Sequence, residues 1–182
     1  MLNSKKYDVV LIDDDPFCML INKLLWIDIL PEASLHIFVD PYQGWDFITT
    51  RKNRDSKKYI TLVDLNMPQM SGWELFDKIS NLESDQKDKF LFYILSSSVS
   101  SKDKEKTKQY PFIMGYLEKP LLREDLDKIT EDINHEFNKH MPEAKVAFSN
   151  VLIENMNSTQ IRAKLLLTLG ILQKQFHILP AK

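Results

Sequence analysis

The chain is predicted to fold as an α/β domain, a doubly wound five-stranded parallel sheet with helices on both faces. Three observations predict it. Short apolar runs recur at 7–12, 35–39, 59–64, 90–95 and 112–117, each of strand length and rich in β-branched, aliphatic and aromatic residues. Stretches with helical spacing lie between them, and strands alternating with helices imply a parallel sheet covered on both faces. The composition allows it: 43% of the 182 residues are apolar, enough to bury a core. Right-handed crossovers then restrict the topology to a few doubly wound orders.

The elements follow in order. Val9-Val10-Leu11-Ile12 forms the first strand and runs into Asp13-Asp14-Asp15-Pro16. Phe17, Leu20, Ile21, Leu24, Leu25 and Ile29 then share one helical face, the one expected against the sheet, and Pro31 stops that helix. Residues 41–50 form a shorter helix carrying Trp45, Phe47 and Ile48, and the charged connection Arg51 to Lys58 leads to the third strand. That strand, Tyr59-Ile60-Thr61-Leu62-Val63, ends on Asp64, after which Pro68 and Gly72 forbid its continuation. Leu75, Phe76, Ile79 and Leu82 align in a helix over 72–82, and Glu83 to Lys89 reads as a polar loop. A fourth helix, about Ser101 to Gln109, is almost entirely polar and so is expected to be exposed and weakly anchored. The last, 121–138, repeats Leu122, Leu126, Ile129, Ile133 and Phe137 on one side.

The domain is placed at 5–138, with an extension of unknown role at 139–182. Pro142 breaks the last helix, Val151-Leu152-Ile153 follows, and Asn157 with Gln160 resembles a capping box ahead of an Ile161, Leu165, Leu169, Leu172 stripe. The extension is therefore expected to be partly helical. Net charge is −2, yet residues 138–182 hold six basic residues against two acidic ones, which leaves −6 on the rest. This modest basicity reads as a solvated surface. No run approaches the roughly 18 apolar residues a membrane span needs. The polar start Met1 to Lys6 argues against a secretory signal, and the lone Cys18 fits a reducing cytosol, so a cytoplasmic protein is expected.

Element order alone brings Asp13-Asp14, Asp64, Ser96 and Lys119 to the carboxyl ends of strands, where clefts in open parallel sheets lie. A single Asp at a strand end is as a rule a turn or cap residue, a single Lys a surface residue and a single Ser a loop residue. Four such positions at one sheet edge are a different matter. Clustered carboxylates repel one another, and a hard divalent cation is the usual remedy. Mg²⁺ takes oxygen ligands, often one or two carboxylates plus phosphate oxygens. With the charge screened, the Asp64 carboxylate can attack phosphorus to give an acyl phosphate. Lys119 can supply an ammonium and Ser96 a hydroxyl to the transferred group.

Four motifs carry a family resemblance: Ile12-Asp13-Asp14-Asp15-Pro16, Val63-Asp64-Leu65-Asn66-Met67-Pro68-Gln69-Met70-Ser71-Gly72, Leu95-Ser96-Ser97-Ser98 and Tyr116-Leu117-Glu118-Lys119-Pro120. In order and spacing, over about residues 5–138, they resemble the receiver domain of two-component response regulators. The resemblance implies that a histidine kinase or phosphotransfer protein phosphorylates Asp64. It implies Mg²⁺ held by Asp14 and Asp64, by Asp13 largely through water, and by the Asn66 carbonyl. Ser96 and Lys119 would grip the phosphoryl group, Tyr116 would be the switch aromatic, and the bond before Pro120 would be cis. Asn66 and Ser98 would control water access to the acyl phosphate. The pattern departs at Ser96, where Thr is commoner, and at the third acid Asp15, which is expected to cap the first helix.

The expected function is a phosphoacceptor, not an enzyme, that signals to a downstream protein partner through a phosphorylation-dependent change of the surface made by 101–118 and the last helix. A second copy of the chain is a further candidate partner. DNA binding is not expected, since about 45 residues leave no room for a winged helix. Two other readings are a haloacid-dehalogenase-like Mg²⁺-dependent phosphatase, from the Asp13-x-Asp15 spacing, and a receiver-like scaffold that ignores phosphate.

Overall fold

In a computed structural model of the chain, residues 6–51, 57–98 and 100–139 are described. The expectations for the 140–182 segment, including its capping box and its leucine stripe, lie outside the described residues, as does most of the charged connection after Arg51. The chain divides into two units, Met1–Asp132 and Ile133–Lys182. The first holds the whole sheet and the candidate site described below.

The five strands are β1 (Tyr7–Ile12), β2 (Leu35–Phe38), β3 (Lys58–Val63), β4 (Phe90–Ser96) and β5 (Ile113–Glu118). They form one sheet in the order β2-β1-β3-β4-β5, and every pair is parallel. The predicted doubly wound sheet is therefore observed. Because β1 lies between β2 and β3, the winding reverses there, and the crevice opens beyond the carboxyl ends of β1 and β3. β4 and β5 pair with a register shift between Phe92 and Tyr93.

The helices are α1 (Pro16–Ile29), α2 (Pro41–Thr50), α3 (Gly72–Ser80), α4 (Ser84–Lys87), α5 (Ser101–Lys106) and α6 (Arg123–Lys139). α4 is a single turn within the stretch read as a polar loop. The predicted helix at 101–109 is split: α5 gives way to a 3-10 turn at Thr107–Gln109. Side-chain caps set several starts. Asp15 accepts from the Phe17 and Cys18 amides with Pro16 in the first turn, as expected of that third acid. Ser71 and Glu74 close a reciprocal capping box at α3: the Ser71 amide donates to Glu74 (2.8 Å) and the Glu74 amide to Ser71 Oγ (3.3 Å).

Alternation along the strands sends Val10, Ile12, Tyr59, Val63, Phe90, Phe92 and Ile94 into one core, where Ile48 of α2 and Leu75, Phe76 and Ile79 of α3 meet them. Intervening residues such as Leu11, Ile60, Leu62 and Tyr93 are equally buried on the opposite side of the sheet.

Two expectations about helix faces need correction. On α1 the buried residues are Cys18, Met19, Asn22 and Trp26, whereas Phe17, Leu20 and Leu24 of the predicted inner face are exposed and Ile21, Leu25 and Ile29 half-buried. Trp26 decides this: fully burying the largest side chain removes the most apolar area from water. On α6, Leu126, Ile129 and Ile133 are buried as predicted, but Leu122 precedes the helix and is exposed. Among the described residues, no helix is long and apolar enough to cross a membrane.

Candidate functional site

The site residues stand one step beyond the strands, yet their backbones remain in the sheet's hydrogen-bond ladder. The Asp13 amide donates to Phe38 O (3.1 Å), the Asp64 amide to Ile12 O (2.9 Å) and the Lys119 amide to Ser96 O (3.0 Å). Each side chain is thus aimed by strand geometry and not by a free loop. Asp13 and Asp64 are buried, Asp14 is half-buried, and Ser96 is completely buried at the last position of β4. Oxygens of Asp13, Asp14 and Asp64 lie within 4.8 Å of one another.

Lys119 closes the cluster. Its ammonium is 2.8 Å from Asp13 Oδ2 and 3.0 Å from Asp64 Oδ2. Burial alone would lower the pKa of this lysine, but the two carboxylates outweigh it and hold the ammonium above its ordinary range. The Lys119–Pro120 peptide bond is cis, as expected. Asp13 Oδ1 accepts from the Asp15 amide (3.0 Å). Asp64 Oδ1, by contrast, is buried with no hydrogen-bond partner among the described residues. An orphaned carboxylate oxygen beside two more acids is the donor set a hard, oxygen-seeking dication requires, so these residues suit Mg²⁺.

The loop after β3 is drawn tightly against Asp64. The Gly72 amide donates to Leu65 O (3.0 Å), and a Cβ at Gly72 would stand 2.3 Å from the Asp64 carbonyl oxygen. Gln69 takes up a positive φ of 69° in this turn. Asn66, two residues past Asp64, is exposed. Cys18 is buried beside the cluster; burial first, and then the neighbouring Asp13, push its thiol up to about 12, so it stays protonated and inert.

From Ser96 a chain of bonds leads outward. Ser96 Oγ accepts from the Ser98 amide (3.2 Å), and Ser98 O accepts from the Tyr116 hydroxyl (2.6 Å). Ser98 Oγ donates to Asp103 of α5 (2.6 Å). Lys104 pairs with Glu118 at 2.8 Å, and its ammonium sits 5.8 Å from the Tyr116 ring centroid. Asp103 was not anticipated; its spacing from Ser100 suggests only a capping box, and nothing in the sequence points from it to Ser98.

The polar α5 has no buried residue, as predicted, but it is better anchored than its composition suggests. Lys106 lies 4.6 Å from the Trp73 ring centroid, and Trp73 stacks on Tyr110 at 5.5 Å. Tyr110 is buried and its hydroxyl donates to Asp77 of α3 (2.7 Å).

No family model matches the chain, and no curated protein sequence does. Solved structures do match. A response regulator receiver protein from Dyadobacter fermentans superposes with a TM-score of 0.60 at 24% identity, over 68% of this chain and 94% of that one. A two component response regulator from Cytophaga hutchinsonii gives 0.59 at 25% identity, over 71% and 98%. A CheY-like receiver domain protein from Methanospirillum hungatei gives 0.58 at 19%, over 74% and 98%. The fold is that of response regulator receiver domains. Within this receiver fold, Asp13, Asp14, Asp64, Asn66, Ser96 and Lys119 lie at the carboxyl edge of the sheet or in the segments leaving it, and Tyr116 lies within β5, two residues before its end. Asp15, the second acid of the dehalogenase-like spacing, is turned away as the α1 cap.

Proposed function

We propose that the protein is a response regulator receiver that accepts a phosphoryl group on Asp64. The observation that carries this reading is Asp64 itself: one oxygen is held by Lys119, while the other is buried without a hydrogen-bond partner among the described residues. Asp64 attacks the phosphorus of a phosphohistidine on a histidine kinase or phosphotransfer protein, the phosphorus–nitrogen bond breaks, and the imidazole leaves with the electron pair and takes up a proton. Asp13, Asp14, Asp64 and the Asn66 carbonyl would hold Mg²⁺, which when bound neutralises charge on the transferred group. Lys119 exchanges its contact with Asp64 for one with the new phosphoryl oxygens. Ser96 donates its hydroxyl to them.

Movement of Ser96 pulls on Ser98, which is tied to both Tyr116 and Asp103, so Tyr116 is the switch aromatic and α5 the surface that reports it. A downstream protein partner reads the surface of 101–118 and α6. The receiver spans 5–138, the remainder is an appendage, and the protein works in the cytoplasm as a phosphoacceptor with at most slow self-dephosphorylation, not as a turnover enzyme.

Incubation with acetyl phosphate and Mg²⁺ tests the reading by intact-mass and peptide mapping. One phosphoryl group is expected on Asp64, none on Asp64→Asn, and negligible turnover of phosphomonoesters. Sustained phosphomonoester hydrolysis would support the phosphatase reading instead. No labelling with intact Mg²⁺ binding would support the phosphate-blind scaffold.

A further inference from the structure

Every polar group of Ser98 is engaged. Its amide donates to Ser96 Oγ (3.2 Å) and its carbonyl accepts from the Tyr116 hydroxyl (2.6 Å). Its hydroxyl accepts from the Ser100 amide (3.3 Å) and donates to the Asp103 carboxylate (2.6 Å). The last bond is of the short, charge-assisted kind, about twice as strong as one between neutral groups. A half-buried serine thus joins the Ser96 hydroxyl to the first turn of α5.

The far end of α5 is held elsewhere. Lys106 lies over Trp73, Trp73 stacks on Tyr110, and the Tyr110 hydroxyl is bonded to Asp77, so α5 and its 3-10 turn are tied to α3. α3 in turn opens at Gly72, packed against the Asp64 carbonyl. Asp103 therefore belongs to the same frame as Asp64, and it stays behind when the segment after β4 shifts.

We propose that the Ser98–Asp103 bond is an autoinhibitory latch, which has to open for Asp64 to be phosphorylated. The inference rests on the receiver reading and adds a regulation of that same site. Ser96 cannot turn its oxygen to an incoming phosphoryl group without either abandoning the Ser98 amide or drawing Ser98 after it. Abandonment leaves a buried donor unpaired, which costs more than the bond is worth. Drawing Ser98 along keeps its amide paired but pulls its hydroxyl off Asp103. The latch therefore stabilises the resting protein against the transfer, and the first turn of α5 comes loose only when it opens.

Labelling of the full chain by acetyl phosphate and Mg²⁺, followed by intact mass, tests this. Asp103→Ala and Ser98→Ala are each expected to label about tenfold faster than wild type. The double variant is expected to be no faster than either, since the same bond is lost in all three. An acid that served only the start of α5 would lower stability on removal and leave labelling no faster; circular dichroism checks that the variants fold. Hydrogen exchange on wild type alone gives a second readout. Labelling is expected to quicken exchange in 100–104 and leave 107–110 unchanged, and Asp103→Ala shows the same quickening before any label is added. The latch is overturned if either single variant labels at the wild-type rate or slower, if the double variant exceeds both, or if labelled wild type keeps 100–104 as protected as before. If wild type takes no label on Asp64, the receiver reading itself fails, and the latch with it.

Discussion

Replacing Gly72 with Ala sets two opposing effects against each other, and the structure decides between them. Gly72 has no positive φ and opens α3, so its backbone conformation is open to alanine. Restricting the unfolded chain there would by itself add about 0.4–1 kcal/mol of stability. The added Cβ, however, would lie 2.3 Å from the Asp64 carbonyl oxygen and 2.9 Å from Leu65 Cα. Both are backbone atoms tied into the sheet edge, and neither can rotate away. To reach ordinary contact the chain must part by about 1 Å, which costs roughly 1–3 kcal/mol as overpacking. It also loosens the bond from the Gly72 amide to Leu65 O, worth about 1 kcal/mol. The net expectation is a loss of about 2–3 kcal/mol, or a urea midpoint lower by roughly 1 M for an ordinary denaturant slope. Gly44→Ala is the internal control: the three atoms nearest its Cβ would all belong to the Ile12 side chain, the closest at 2.7 Å, and mid-helix alanine recovers about 1 kcal/mol. If Gly72→Ala matched or exceeded wild type, or cost less than Gly44→Ala, the argument that Asp64 is seated by a close-packed turn would be wrong.

Three further outcomes are expected. Burial, against the pull of Asp8, lowers the pKa of His36 in the folded state, so below about pH 6.5 the unfolded chain binds more protons and stability falls; urea midpoints should drop between pH 7.5 and 5.5, and His36→Gln should flatten that slope. An unchanged slope in the variant refutes the assignment. The Asp8 carboxyl, held low against burial by Lys57, Ser34 and His36, loses its contribution only at more acid pH, so it does not mask the effect. Tyr110→Phe removes the bond to Asp77 and should cost about 0.5–1.5 kcal/mol in denaturant melts, whereas Tyr110→Ala empties an aromatic site and should cost about 3 kcal/mol or more. Ser98→Ala severs the link to Asp103 but keeps the carbonyl that Tyr116 uses; hydrogen exchange should quicken in 101–106 and stay unchanged in β5.

Much of the architecture was legible because each strand is a short apolar run with its own stop signal. The edge of the sheet was legible for the same reason, since parallel strands must all end on one side and so bring Asp13, Asp64, Ser96 and Lys119 together. The orientation of α1 was not. That helix is apolar nearly all round, and periodicity cannot choose between two greasy faces; only tertiary packing shows that Trp26 and Met19 go inward. The hold on α5 was hidden for another reason. Its anchors are Tyr110, outside the helix, and Trp73 and Asp77, some thirty residues earlier, so no local window contains them. Asp103 was missed likewise, being unremarkable until Ser98 folds over it.

Because the amides of Asp13, Asp64 and Lys119 are each claimed by a neighbouring strand, the main chain at the acidic cluster has nowhere to travel. In the proposed receiver, information leaving it would have to be carried by rotating side groups and by the loop that begins at Ser97. The sheet then serves as a stationary mount, and any tuning of how strongly the two ends communicate falls to a few replaceable hydroxyls and rings and spares the fold itself.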